Sequence, residues 1–278
     1  VSANTQPLAG QTAIVTGAGR GIGRAISLAL AAAGARVAVV ARTAVEIDET
    51  AALIVAAGGE AAPFRADVAD RAMVESMAAA AGTWLGVADI LVNNAGTHVG
   101  IGHLWEVEPA LWWRDIETNL LGTFLVTRAV LPAMLARGRG CIVNLASGAA
   151  LEPRPQSSAY SGAKAAVIRL TESLAVDVGP RGVRVFALHP GGVRTTLTEA
   201  IMDSDAGQSA YPHWPALAWQ PAERAAAVVV ALAAGKGDAL AGRYIDATRD
   251  LAAQVADVER GERADVYTLR LVTPDAGG

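Results

Sequence analysis

Short apolar runs rich in β-branched residues alternate along the chain with longer stretches whose apolar positions recur at helical spacing. TAIVTG (12–17) and RVAVVA (36–41) are predicted strands, each closing on a turn signal. Between them GRAISLALAAAGA carries helical spacing and stops at Gly34, as a helix C-terminus favours. The pattern then predicts a helix over 44–57, a strand near 62–67, a helix over 70–82 and a strand at DILVNNAG (89–96). A long helix over 109–136, with Pro132 near its end, leads to strand GCIVNLAS (140–147) and a helix from Ser158 to about Val178. RVFALHPG (184–191), a helix over 222–234 and a last strand in AGRYIDA (241–247) complete the series. Strand–helix alternation of this kind predicts an α/β fold: one doubly wound, mostly or fully parallel seven-stranded sheet flanked by helices and buried on both faces.

No linker or internal repeat divides the chain, so residues 1–248 are expected to form one catalytic domain, with 249–278 as a C-terminal extension. The stretch 194–221 is too long and irregular for a plain connection; such loops are usually functional or mobile. With 278 residues, 52% apolar and 18% charged, the chain has ample material for a core. Its net charge of −4 gives no basic footprint, which argues against nucleic acid or an anionic membrane as partner. The single cysteine, Cys141, excludes an internal disulfide framework and a cysteine zinc cluster, and its apolar run suggests a small buried hydrophobe. No run of eighteen apolar residues and no signal-peptide pattern are evident, so a soluble cytoplasmic protein is expected.

The first strand runs into TGAGRGIG (16–23), directly ahead of a helix. The strict G-x-G-x-x-G spacing fails because Ile22 takes the last glycine's place counted from Gly17; glycines at 17, 21 and 23 fit instead, with Gly19 as an extra. Glycines still let a backbone approach a pyrophosphate at a helix N-terminus, although a tight turn in an alanine-rich chain would look similar. The second strand ends in Ala41 and Arg42, without the acid that usually holds a ribose 2′-hydroxyl. Arg42 and Arg20 could instead clamp a 2′-phosphate through their guanidinium forks, favouring NADP(H) over NAD(H); the alternative is two solvated surface arginines.

A second feature is SSAYSGAKAAV (157–167). The chain contains two lysines, Lys164 and Lys236, and Lys164 lies one helical turn after Tyr160, on the same face. A cation beside a phenol favours the phenolate, and a lysine can also reach ribose hydroxyls as a compact charge. Ser161, Gly162 and Ala163 between them would keep the helix surface low enough for a cofactor to cross it. Ser147 ends the fifth strand, at the carboxyl edge where such sheets place ligands, and Asn119 lies within a long helix, a position asparagine does not favour.

TGAGRGIG, Asp67-Val68, NNAG (93–96), Asn119, Ser147, Tyr160-x-x-x-Lys164 and HPGGVRT (189–195) occur together in the order and spacing of one family. Over about residues 8–247 the chain resembles a short-chain dehydrogenase/reductase of the compact, Rossmann-type single-domain branch. The resemblance implies reversible hydride transfer between a nicotinamide and a carbonyl or alcohol carbon, with Asn119, Ser147, Tyr160 and Lys164 as the catalytic set. In it Tyr160 is the acid/base, Ser147 holds the substrate oxygen, and Asn119 holds a water that relays protons from Lys164. Gly17, Gly19, Arg20, Gly21, Ile22, Arg42, Tyr160 and Lys164 would bind the cofactor. Asp67 and Val68 would flank the adenine, Asn94, Ala95 and Gly96 would line the middle of the cofactor, and Pro190, Gly191, Val193 and Thr195 would close over its nicotinamide end. The family habit also implies a homodimer or homotetramer.

The four histidines, His98, His103, His189 and His213, lack ligand spacing, so no metal is expected. His98, Tyr211 and Trp214, with His213 and Trp219, are candidates for lining a pocket for a bulky or apolar substrate, while Trp105, Trp112 and Trp113 suggest core or subunit contacts. The resemblance stops before the last thirty residues, where Leu251, Val255 and Val258 predict an amphipathic helix followed by a short extended YTLRLV. A non-catalytic dinucleotide sensor on the same fold is the competing class, but it has no chemical need for all four residues of the catalytic set. Lyases and epimerases on a dinucleotide fold usually carry a larger substrate domain than this length allows.

Overall fold

The computed structural model describes residues 6–271. Its seven strands are β1 (Thr12–Thr16), β2 (Arg36–Ala41), β3 (Glu60–Arg65), β4 (Ile90–Asn93), β5 (Gly140–Leu145), β6 (Val183–His189) and β7 (Tyr244–Asp246). They form one wholly parallel sheet in the order β3-β2-β1-β4-β5-β6-β7. The order reverses between β1 and β4, and crevices at such switch points are where open α/β sheets bind ligands.

Alternate residues of each strand feed two cores. Ala13, Val15, Ile90, Val92, Cys141 and Val143 face α1 (Gly21–Ala32), α2 (Ala44–Ala56) and α9 (Ala222–Ala233). Ile14, Leu91 and Ile142 face α3 (Arg71–Leu85), α5 (Gly122–Arg137) and α6 (Ser158–Val178). Both faces are covered, so the strands read as continuous apolar runs. A buried polar ladder crosses the middle of the sheet. Asn93 and Asn144 are in register across β4 and β5, and the Asn93 amide donates to Asn144 Oδ1 at 2.8 Å and to Thr127 Oγ1 at 2.9 Å. The Asn144 amide donates in turn to Thr171 Oγ1 at 2.9 Å.

Most predicted strands shift or shorten, β5 and β6 each ending two residues early, at Leu145 and His189. β3 lies two residues earlier than expected and contains Pro63, tolerated because β3 is an edge strand. β4 stops at Asn93 because Asn94 and Ala95 turn their N–H groups onto the Thr16 hydroxyl. β7 shrinks to three residues behind Gly242, whose φ of +79° suits only glycine well.

The long helix runs from α4 (Pro109–Ile116) through a π-helical turn at Glu117–Leu121 into α5. Contrary to the expectation from the sequence, this segment is long and apolar enough to cross a membrane by length and composition; Val126, Val130 and Met134 instead bury against the sheet as a core helix does. Trp105 and Trp113 are largely exposed and Trp112 half-buried, so none of the three belongs to the core.

Residues 194–221 carry two short helices, α7 (Thr196–Met202) and α8 (Asp205–Ala210), capped by the hydroxyls of Thr195 and Ser204. After α10 (Leu251–Glu259), residues 264–267 form a turn; of the extended segment expected at 267–272, Tyr267 closes that turn, 268–271 join no strand, and Val272 lies outside the described residues. Arg243 at the start of β7 bonds the carbonyls of Ala264 and Val266, and Tyr244 N–H donates to Tyr267 O at 2.8 Å. Strand β7 thereby acquires a cover on its open edge.

Candidate active site

The glycine turn leaves β1 and enters α1 with almost no room for side chains. A Cβ on Gly17, where φ is +61°, would lie 2.8 Å from Ala95 Cα, and one on Gly23 would lie 2.2 Å from the Gly17 carbonyl oxygen. A Cβ on Gly19 would meet Glu46 Cβ at 2.7 Å. Helix α1 begins at Gly21 without a side-chain cap at Arg20 and without an acid in its first turn, and Ile22 anchors that turn to the core. Free N–H groups facing a small-residue cradle fit the pyrophosphate of a dinucleotide.

Several residues that hold this cradle carry no signal in the sequence. The Thr16 hydroxyl accepts from Asn94 N at 3.0 Å and Ala95 N at 3.1 Å, while the Asn94 amide donates to the carbonyls of Thr16 and Gly17. Arg24 Nε donates to Gly19 O at 2.8 Å, and Thr50 braces the same oxygen. Asn94 is among the residues expected here; the contacts of Thr16 and Thr50 join positions 31 to 79 apart in the chain, so no local spacing announces them.

Both candidate clamp residues already have acidic neighbours. Arg20 pairs with Glu46 at 3.1 Å and Arg42 with Asp67 at 3.5 Å, and both guanidinium groups remain more than half exposed. Val68 is buried, and the tight approach of Gly122 to its side chain fixes α5 there. The segment Pro190–Thr195 comes back to the glycine turn: a Cβ on Gly21 would lie 3.2 Å from Thr195 Cγ2. Gly191 has φ +84°, Val193 is buried and bridges Gln220, and the Thr195 hydroxyl caps α7.

Asn119 lies in the π-helical turn, fully buried, its amide donating to Thr97 O at 2.7 Å and Asp115 O at 2.8 Å. Its Oδ1 has no protein donor and lies 2.8 Å from where a Gly96 Cβ would be, with Lys164 Nζ 3.8 Å from that point. Lys164 is buried, donates to Leu145 O at 2.7 Å, and holds its ammonium 5.7 Å from the Tyr160 ring centre. Ser147 closes β5 and accepts from Ala149 N at 3.2 Å.

Burial pushes the Tyr160 phenol up to about 12, against the opposing effect of the Ser147 hydroxyl, and pulls Lys164 down to about 8. Desolvation therefore outweighs the acidifying influence expected of the lysine. Between the pair, Ala163 is buried and faces the interior, while a Cβ on Gly162 would meet open space.

His98, Tyr211 and Trp214 join one aromatic row. The His98 imidazole lies flat against the Tyr160 ring, with centroids 4.2 Å apart and planes at 11°. Tyr211 meets His98 edge-on at 5.8 Å and stacks on Trp214 at 4.3 Å, and Trp219 meets Trp214 edge-on at 5.8 Å. His213 is exposed beside the row. Among the described residues no group of three His, Cys, Asp or Glu side chains could hold a metal ion.

The glycine cradle thus lies at the switch point of the sheet, beside Ser147 after β5 and Tyr160 and Lys164 on α6. Residues 11–206 match the short chain dehydrogenase family, and the chain belongs to it. It is 39% identical over 269 residues to the short chain dehydrogenase mpl6 of Monascus purpureus, covering 95% of this chain and 89% of that protein. It is 42% identical over 207 residues to the 2,5-dichloro-2,5-cyclohexadiene-1,4-diol dehydrogenase of Sphingobium indicum, covering 73% and 81%. Its fold superposes with a TM-score of 0.79 on a gluconate 5-dehydrogenase of Burkholderia cenocepacia J2315 in complex with NADP and tartrate, at 31% identity over 87% of this chain and 95% of that one.

Proposed function

We propose that this chain reduces a carbonyl group, or oxidises the corresponding alcohol, with NADP(H) as partner and Tyr160 as acid/base. The observation that carries this reading is the gathering of Asn119, Ser147, Tyr160 and Lys164 at the carboxyl ends of β4 and β5, beside the glycine cradle. The nicotinamide supplies hydride chemistry when bound. Gly17, Gly19, Gly21 and Ile22 would take its pyrophosphate, Asn94, Ala95 and Gly96 its middle, Asp67 and Val68 its adenine side, and Pro190, Gly191, Val193 and Thr195 its reactive end.

During reduction negative charge develops on the carbonyl oxygen. Ser147 holds that oxygen by a hydrogen bond while the Tyr160 hydroxyl delivers a proton to it. A phenol near 12 is fully protonated at neutral pH, which suits it to the reductive direction. Lys164, near 8, keeps most of its charge at pH 7 and returns a proton toward the phenolate. The Asn119 side chain, its amide spent on Thr97 and Asp115, offers Oδ1 for a water on that path.

Arg20 and Arg42 would clamp a 2′-phosphate, and the NADP in the Burkholderia relative supports that preference. Tyr211 and Trp214 form an apolar wall suited to a ring-bearing substrate, in keeping with the cyclic diol of the Sphingobium relative, while His98 lies behind it against Tyr160. The extension after residue 248 docks on the same body, and assembly as a homodimer or homotetramer follows the family habit.

The test is NADPH and NADH oxidation against ketones, quinones, steroids, sugars and acyl thioesters. Turnover should be fastest with NADPH and an apolar cyclic ketone. Tyr160→Phe should lower kcat by about 10³-fold and leave the NADPH Kd within about threefold. Tight dinucleotide binding with no turnover of any panel member would favour a sensor instead.

A further inference from the structure

We propose that His98 is a positioning residue for Tyr160: its imidazole is a flat wall that fixes the phenol ring and keeps water off one face. This rests on the reading of Tyr160 as the acid/base. The stacking geometry is close, with ring centres 4.2 Å apart and 11° between planes. The imidazole is itself held from two other elements. Its Nε2 lies 2.9 Å from the hydroxyl of fully buried Ser157, three residues before the tyrosine, and 3.5 Å from the Tyr211 hydroxyl of the 194–221 segment.

The backbone carrying His98 is pinned as firmly as the ring. Asp115, fully buried on α4, accepts from Val99 N and Gly100 N, both at 2.9 Å. Asn119 fastens the other side of His98 through Thr97 O at 2.7 Å. Gly100 allows this docking, since a Cβ there would lie 2.9 Å from Trp112 Cα. Two side chains of the α4–π segment therefore clamp the residues flanking His98, and the clamp is rigid only because the intervening loop lies directly on the helix.

The imidazole stays uncharged at neutral pH, because burial lowers it to about 3. A neutral ring adds no positive field that would acidify the phenol, so its effect on Tyr160 is exclusion of water and restriction of motion. The groups with a bearing on that phenol's charge are Ser147 at the end of β5, Tyr211 in the 194–221 segment, Asp115 on α4 and Lys164 on α6. Displacement of a reacting group by about 1 Å can cost on the order of 10²-fold in rate, so a wall against the acid/base is a direct lever on turnover.

The measurement is carbon-13 NMR of the NADP⁺-loaded protein, labelled at Cζ of its four tyrosines, with the Tyr160 resonance identified through Tyr160→Phe. His98→Ala should lower the Tyr160 titration midpoint by about one unit, because water then solvates the phenolate. His98→Phe, which keeps a flat ring, should hold the midpoint within about 0.3 unit of the parent. With the fastest carbonyl of the panel, His98→Ala should lose about 30-fold in kcat with KM within about threefold, and His98→Phe should recover most of it. His98→Asn, which retains a polar partner for Ser157 but no ring, replaces alanine if that variant does not fold. An unchanged midpoint in the ringless variant overturns the proposal, as does an equal shift in His98→Phe or a loss confined to KM. Tyr160→Phe that retained full turnover would instead remove the acid/base role itself, while the midpoint comparison would still report on the wall.

Discussion

Single buried residues give this fold its pH dependence. His98 is held neutral to about pH 3, whereas in the unfolded chain it protonates near 6.5. Below pH 6.5 the unfolded state therefore binds a proton that the folded state refuses, and stability falls as pH falls, by at most about 1.4 kcal/mol per unit. Asp115 acts with the opposite sign: burial raises its carboxyl to about 6, so between about 6 and 4 the folded state takes up a proton first and offsets part of the loss. A His98→Phe variant lacks the histidine contribution. Urea unfolding at pH 7, 6 and 5 should show its stability gaining on the parent by about 1 kcal/mol per unit below 6.5, and a constant difference would contradict the assignment. The residues themselves were conspicuous in the sequence, Asp115 excepted. What could not be read there is which face of the imidazole meets Tyr160, since that contact joins a loop and a helix 62 positions apart in the chain.

At the level of elements, the proposed preference for NADP(H) rests on the segment following β2. Arg42 stands at its start with Asp67 as neighbour, and Arg20 stands across the glycine turn with Glu46. Exposed pairs of this kind contribute little, so a 2′-phosphate can take over either guanidinium at small cost. Arg42→Asp should raise the NADPH Michaelis constant at least about tenfold while leaving NADH within about threefold, in initial-rate assays at fixed substrate. An unmoved NADPH constant would reject the clamp. Strands and long helices were legible because their apolar periods are strong: β1, β2, α1, α2 and α9 lie within a residue or two of their predicted bounds. The π-helical turn was not, since one extra residue in the hydrogen-bond register leaves the apolar pattern of Leu120, Leu121 and Leu125 nearly unchanged. Helices α7 and α8 were hidden for another reason: each is about two turns or less, defined by the caps Thr195 and Ser204 rather than by an apolar stripe.

For the molecule as a whole, residues 249–271 of the C-terminal extension pack onto the body through hydrogen bonds. Leu269 N donates to the nearly buried Glu172 carboxylate at 2.6 Å, Arg270 joins it at 3.0 Å, and Tyr267 meets the edge of β7. A chain ending at residue 248 strips these partners from Glu172 and opens β7, so its melting temperature should fall by about 5–10 °C in calorimetry. An unchanged transition would show that the extension is a passenger. The asparagine ladder through the middle of the sheet has a wider consequence. Apolar strands buried on both faces tolerate a sliding error, because valine against isoleucine is nearly as good as isoleucine against valine. The Asn93–Asn144 contact admits one alignment of β4 with β5. A slip of one residue would strand two buried amides, turn Ser147 to the opposite face and carry it about 3.3 Å along the sheet. The ladder is thus a ruler: two amides in the dry centre set how far the strand that delivers Gly96 is offset along the strand that delivers Ser147.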